Sequence, residues 1–503
     1  MTMKKIFFTA FFAVMAAVMC MAQQTMWVTT GQVRYAFDTQ QVDTMRVNAA
    51  GDTLTIQNKA FAVSDIDSIH IASGLMEYNS IYVDYAGEKA SVTISGNIAD
   101  RVEAIVDSAH VSVLQDSAKV TEEIFYTLAG ESADGSFYQK GDFKATFILN
   151  GLSLTSSRGA AFHINDGKRV EIQVSDSTVN TFVDCANGKQ DACVYIDGHT
   201  ELKGAGSLVI TGNTKHAIKS DEYLELKKSF LGNLIVKNAV GDGVNVNQYL
   251  EVKAGNIIVE SCGGDGVQVD KKADTTKEFN GQLIMSGGTI RVLKTGEEGK
   301  GVKVEDLVTI TDGTIEITSA DNALHSKANM NISGGRIYAY SAAGNGVNSA
   351  ATLTISGGTI VAYGVSTTGY GVRGATKLYV NGGTVAAMGA MTSTPQTAAA
   401  NQPALVYKGV ITKDTVFTLD DADGNNVMAL AVTRAYSSSK QHTLLLTAPA
   451  LTEGTTYALA SGAALDTEKE NWHELYTGGD AVAIPGTTTL GTATGTKPYA
   501  TLK

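Results

Sequence analysis

Apolar and polar residues alternate along this chain in short runs. VTITDGTIEIT from Val308, MNISGGRIYAY from Met330 and LTISGGTIVAY from Leu353 set apolar side chains at about every second position, the period of a strand. No stretch carries a 3.6-residue apolar stripe, so helical repeats and leucine-rich horseshoes are excluded. The runs recur as a unit opening on an x-Gly-Val-like motif at His216, Asp242, Asp265, Lys300, Asn322, Asn345 and Tyr370, at spacings of 26, 23, 35, 22, 23 and 25 residues. A self-similar period in the twenties marks a solenoid. Glycine pairs at Gly287-Gly288, Gly334-Gly335, Gly357-Gly358 and Gly382-Gly383 recur at one corner of the unit, where a left-handed backbone or close approach is needed. A rung of about 23 residues at roughly 3.3 Å each accommodates three short strands and their corners. Stacked edge to edge, such rungs make a parallel β-helix.

Where the repeat fails, it fails locally. The spacing of 35 comes from a charged insertion at 270–281, DKKADTTKEFNG, and a second insertion lies at 185–191. Insertions in a solenoid become loops on one face, often the binding face. Weaker copies run back through 192–215 and 159–174. Residues 23–75 read as a small N-terminal β-meander, 80–390 as the β-helix, and 404–503, after the Thr/Ala/Pro-rich break TSTPQTAAANQP, as a β-rich C-terminal cap. An open solenoid end exposes unpaired strand edges, and a cap covers them.

Residues 1–22 join Lys4 and Lys5 to the apolar run 6–18 and end in Cys-Met-Ala, the pattern of a secretory signal peptide cut after Ala22. Met19 is too large for the position before a lipid-attached cysteine. No later segment reaches the roughly 20 apolar residues a spanning helix needs. Without the leader the 39 basic residues become 37 against 51 acidic ones, a net charge of −14. That balance argues against nucleic acid and anionic lipid as partners. Three cysteines remain; Cys185 and Cys193 flank an insertion and could close it as a disulfide, or serve, like Cys262, as small buried hydrophobes.

Aligning the openings exposes columns. The opening column itself carries Asp242 and Asp265, and five residues on it reads Asp197, Asp221, Asn247, Asp270, Glu305 and Lys327. Rungs stack about 4.8 Å apart, so oxygen-rich columns invite a hard cation such as Ca²⁺. The plainer alternative is that these Asp and Asn side chains bond backbone amides in turns. Tyr340 and Tyr363 take one position on successive rungs, with Tyr338 two residues earlier. On an exposed face they would offer a platform for sugar rings, or simply stabilise the sheet. Lys300 and Lys303 beside the acidic column could act as bases in a lyase or as counter-charges. No nucleophile elbow or metal-protease motif is present, and His163, His199, His216 and His325 read as structural.

The phrases FILNGLSLTSSRGAAFHI, NTFVD, LKGAGSLVITGNTKHAIKSDEYLEL, the repeated GDGV and GGTI, and the closing LLLTAPALTEGTTYALASG together resemble the bacterial carbohydrate-binding domain family of secreted β-helix proteins over roughly residues 92–462. The resemblance implies an all-β fold, a right-handed parallel β-helix solenoid, with polysaccharide as partner and similarity to calcium-dependent pectate lyases. It also implies Ca²⁺ among aspartates of the turns, here Asp184 of NTFVD, Asp221 of KSDEYLEL, and Asp242 and Asp265 of the two GDGV phrases, with Asn247 standing where an Asp would strengthen the site. The expectation is a secreted or cell-surface, monomeric polysaccharide-binding protein, calcium-assisted and without catalysis. A calcium-dependent polysaccharide lyase and an adhesin using the solenoid as a spacer are the alternatives.

Overall fold

The computed structural model describes residues 24–398, 401–436 and 440–503; the expected leader, 1–22, lies outside them. The chain is all-β, with three short 3-10 turns and no α-helix among the described residues. Its body is a parallel β-helix with three faces. Face one is a ladder of eleven parallel strands from Ala109–Gln115 to Val372–Gly374, with the antiparallel Val102–Asp107 at its start. Its register is strict: Val244, Val267, Val302, Leu324, Val347 and Val372 stand in one column. All six are fully buried. Face two runs through Arg169–Val174, His199–Gly204, Leu224–Phe230 and Tyr249–Val252. Face three runs through Val179–Val183, Ser207–Gly212, Asn233–Ala239 and Asn256–Val259.

From Gln282–Val292 onward, faces two and three are mostly joined in single long strands such as Thr352–Gly364 and Lys377–Gly389. These strands bend at the glycine pairs, where the ladder register shifts. Gly358 shows why: its φ is +84°, and a Cβ there would meet the carbonyl oxygen of Gly334 at 2.7 Å. Alternation does the rest, each strand turning every second side chain inward. The early rungs are filled by a ring stack, Tyr126–Phe147 at 4.7 Å and Phe137–Phe162 at 5.6 Å between centroids. The later ones are filled by Val, Ile and Leu, each contributing about 1.5–3 kcal/mol on burial.

Both ends are covered. At the N-terminus, Gln24–Thr30, Val33–Asp38 and Ser68–Ser73 form an antiparallel meander. Val33–Asp38 pairs in parallel with Lys89–Ser95, so the meander runs into the solenoid's sheet and shares its core. At the other end, residues 391–398 and 401–402 lie across the last rung, with the Gln396 and Gln402 backbone amides bonding the Leu378 and Val380 carbonyls at 2.7 and 3.0 Å. Gln441–Thr447 then adds antiparallel to Lys377–Gly389. A five-stranded antiparallel sheet completes the C-terminal part.

Candidate functional site

On face one the residue between the two buried positions of each strand points outward. Rung by rung this column reads Tyr138, His163, Tyr195, Lys219, Asn245, Gln268, Lys303, His325, Asn348 and Arg373. The opening and fifth-position columns flank it as walls, so the column floors a trench. Asn245, His325 and Asn348 are buried though they face outward.

The trench deepens at its N-terminal end for a steric reason. There the wall column is Gly135, Ala160 and Ala192, with no long side chains to fill the space. The result is a hollow of about 350 Å³ floored by Tyr138 and His163 and walled by Arg158 and Gln190, the last from the 185–191 insertion. Tyr138, His163 and Tyr195 stack at centroid distances of 5.0 and 5.1 Å. The Lys219 ammonium lies 5.2 Å from the Tyr195 ring centre. Tyr195 donates its hydroxyl hydrogen to Asp221 at 2.6 Å, and burial together with that carboxylate pushes the phenol far up. His163 Nε2 is buried without a hydrogen-bond partner. Flat rings, a guanidinium and an amide around one hollow form a surface that can take an apolar sugar face and bond its hydroxyls.

The aspartates of the turns have other duties. Asp242 Oδ1 accepts the backbone N–H of Asp265 at 2.9 Å, and Asp265 Oδ1 accepts that of Lys300 at 2.7 Å. Asn322 and Asn345 repeat the bond to the next rung, and His216 Nδ1 does so toward Asp242 at 3.1 Å. His216 Nδ1 also lies 3.3 Å from Asp242 Oδ2. A nitrogen that accepts an N–H is unprotonated, so we read that contact as packing rather than an ion pair. Burial pushes the Asp242 and Asp265 carboxyls up, the backbone bonds holding them partly back. Asp184 likewise accepts the amides of Asn213 and Thr214, and burial pushes its carboxyl up too. Asp221 holds Asn247, Lys219 and Tyr195; Asp270 holds Gln268 Nε2 at 2.7 Å. These oxygens thus meet protein donors, and no cluster of three or more His, Cys, Asp or Glu stands together among the described residues.

The tyrosine platform expected on Tyr338, Tyr340 and Tyr363 is not exposed. Tyr363 is 1% and Tyr338 5% accessible, because the C-terminal part folds back over this end of face three. Arg434 donates to the Tyr338 hydroxyl at 2.9 Å and lies 4.0 Å from the Tyr340 ring centre; His473 stacks on Tyr338 at 3.8 Å. The cysteine pairing is not formed either. Cys185, Cys193 and Cys262 are free, and Cys193 is fully buried in the core beside Ala192 and Val194. Lys300 pairs with Asp321 at 2.6 Å and Lys303 with Asp265 at 3.4 Å, as counter-charges. The 270–281 insertion folds back toward earlier rungs, Lys277 reaching Glu222 at 3.0 Å and Phe279 meeting the Tyr249 ring edge-on.

Sequence reasoning passed over Tyr138 and Tyr195 and took His163 as structural, though the signal was present in the alternation three residues into each rung.

The family profile described as carbohydrate-binding domain-containing protein matches residues 115–390 and 294–424, which together span more than half of the chain. The chain belongs to this family. A carbohydrate-binding domain-containing protein of Acetivibrio thermocellus is 27% identical over 137 residues, 25% of this chain and 47% of that protein, so the match spans about half of the relative's length. Among solved structures, the polysaccharide lyase-like protein from C. thermocellum (a gadolinium derivative) is similar with a TM-score of 0.40 and 22% identity, over 48% of this chain and 91% of that one. The residues matched by the family profile contain the whole trench from Tyr138 to Arg373.

Proposed function

We propose that this member of the carbohydrate-binding domain family holds a polysaccharide along the trench of face one, anchored in the hollow at Tyr138 and His163 with Tyr195 next along the floor, and that it does so without catalysis. The observation that carries the reading is the hollow itself, the stretch of the trench where stacked rings meet a cavity of sugar size. Chain direction along the trench lets successive sugars meet successive rungs. Lys300 and Lys303 serve as counter-charges in this reading, so incubation with polygalacturonate yields no ultraviolet-absorbing unsaturated product. Asp242 and Asp265 stiffen the trench wall through backbone bonds, and in this reading binding does not draw on calcium. A glycan array run on the wild type and on Tyr195→Ala tests the proposal: binding that survives the substitution unchanged overturns it. The same array in EDTA keeps its pattern; loss of signal there overturns the calcium-independent part. Export as a monomer is proposed on the 1–22 pattern and the acidic balance alone, with a mature N-terminus at Gln23 as its check.

A further inference from the structure

The two walls of the trench change character along its length. The fifth-position wall reads Asp197, Asp221, Asn247, Asp270 and Glu305, and then Lys327, Ala350 and Ala375. The opening wall passes from Asp242 and Asp265 to Asn322, Asn345 and Tyr370. No Asp or Glu occurs in residues 322–413, although the chain has 51 of them in 503. Exposed charges act over a Debye length of about 8 Å, so a polyanion is repelled along the middle rungs and not along the last ones.

The floor changes with the walls. Of its three Lys and Arg side chains, Lys219 lies 3.2 Å from Asp221 and Lys303 3.4 Å from Asp265. Arg373, half-buried on the last rung, pairs with no carboxylate among the described residues. Its guanidinium is held in place by neutral groups instead. Nη1 donates to Asn348 Oδ1 at 3.1 Å, and the group lies 5.6 Å from the Tyr370 ring centre. Asn348 is fixed in turn, donating through Nδ2 to His325 Nδ1 at 2.7 Å, and both of these side chains are buried. This chain of bonds uses one of the five N–H groups that a guanidinium carries. A guanidinium fixed on one side, with N–H groups to spare, is a fork for an oxyanion, which it takes through paired charge-assisted bonds.

We infer that, where the trench holds a glycan as proposed above, Arg373 binds an acidic group of that glycan, a carboxylate or a sulfate ester, over the last rungs. The sugars over Asp197 to Glu305 are then neutral. Arg373 thereby selects a mixed glycan, neutral for most of its length with an acidic unit toward one end, over a polyuronate. It also gives the bound chain a direction, with neutral sugars at the hollow and the acidic unit at Arg373.

Affinities of the full chain for matched oligosaccharides test this: a sulfated glycan and its desulfated form, a glycan with one uronate and its carboxyl-reduced form, and polygalacturonate. The wild type prefers the acidic member of one pair by about tenfold at low salt, and the preference shrinks in about 1 M NaCl. The pair that shows it tells sulfate from carboxylate. In Arg373→Gln the ratio of the two affinities falls toward one, and Arg373→Lys keeps part of it. Equal affinity for acidic and neutral members in the wild type overturns the subsite and leaves the trench reading standing. A preference that persists in Arg373→Gln does the same. Polygalacturonate held more tightly than the mixed glycans overturns the division of charge along the trench. Silence toward every glycan overturns the trench reading itself, and the subsite with it.

Discussion

Two sets of rings on this solenoid look alike in sequence and do opposite things. Tyr338, Tyr340 and Tyr363 on face three and Tyr138, His163 and Tyr195 on face one each occupy outward positions of successive strands. The first set is the seat of the C-terminal part, with Tyr363 at 1% accessibility; in the second, Tyr138 and His163 floor an open hollow and Tyr195 continues their stack beside it. The difference lies in the neighbours. Beside the face-one rings the wall residues shrink to Gly135, Ala160 and Ala192, whereas the face-three rings meet Val361, Ala386 and Met388, apolar groups that must themselves be covered. An outward aromatic thus reads as a binding group or as an interface according to the column next to it.

Truncating a ring in each set gives the sharpest break. Tyr363→Ala removes a fully buried side chain and costs about 3–5 kcal/mol of stability, read by denaturant unfolding, with glycan binding unchanged in the molecules that remain folded. Tyr138→Ala, on the open floor, costs about 1 kcal/mol or less. Equal losses would mean that the two sets share one role.

Acid tests the trench from another side. Burial pushes the imidazoles of His216 and His325 down to about 4. Their lone pairs are in use, His216 accepting the Asp242 amide and His325 Nδ1 meeting Asn348 at 2.7 Å. The folded state therefore takes up these protons later than the unfolded chain, which titrates near 6.5. Their stabilising share is complete above about pH 6.5 and falls away as the pH drops toward 4, on the order of 2–3 kcal/mol for each residue. The raised carboxyls of Asp242 and Asp265 work in the opposite direction, at the acid end of that window. Unfolding midpoints from pH 7 to 5 should decline, and the decline should flatten in His325→Gln. A slope unchanged by that substitution would remove His325 from the account.

The rungs were legible because alternation and glycine corners are local, and the period of 22 to 26 residues repeats them. The hollow was legible in principle, since Tyr138, His163 and Tyr195 stand at one position of successive strands, and aligning only the openings and the fifth positions hid it. The burial of Tyr338 was not legible. It depends on Arg434 and His473, which lie 96 and 135 residues further along the chain and meet it only once the C-terminal part folds back. The aspartates were visible as columns. The backbone amides that Asp184, Asp242 and Asp265 accept depend on carboxylate directions that spacing does not encode.

On the binding side of the comparison, Tyr195→Ala should weaken glycan affinity about tenfold, close to 1.4 kcal/mol, by removing the ring that stacks on His163 and the hydroxyl that steadies Asp221. Its effect should exceed that of any single tyrosine change on face three.

Arg434→Lys gives the smallest expected effect and the finest test. The guanidinium donates to the Tyr338 hydroxyl and stacks 4.0 Å from the Tyr340 ring centre, two contacts that a lysine cannot make together. Loss of the stacked geometry should cost about 0.5–1 kcal/mol. Because the contact joins the C-terminal part to the solenoid, hydrogen exchange should quicken at residues 336–341 and 359–364 before it quickens on face one. Exchange that rises equally on both faces would show that Arg434 supports the whole rod and not this seam, and the contrast between the two ring sets would lose its structural cause.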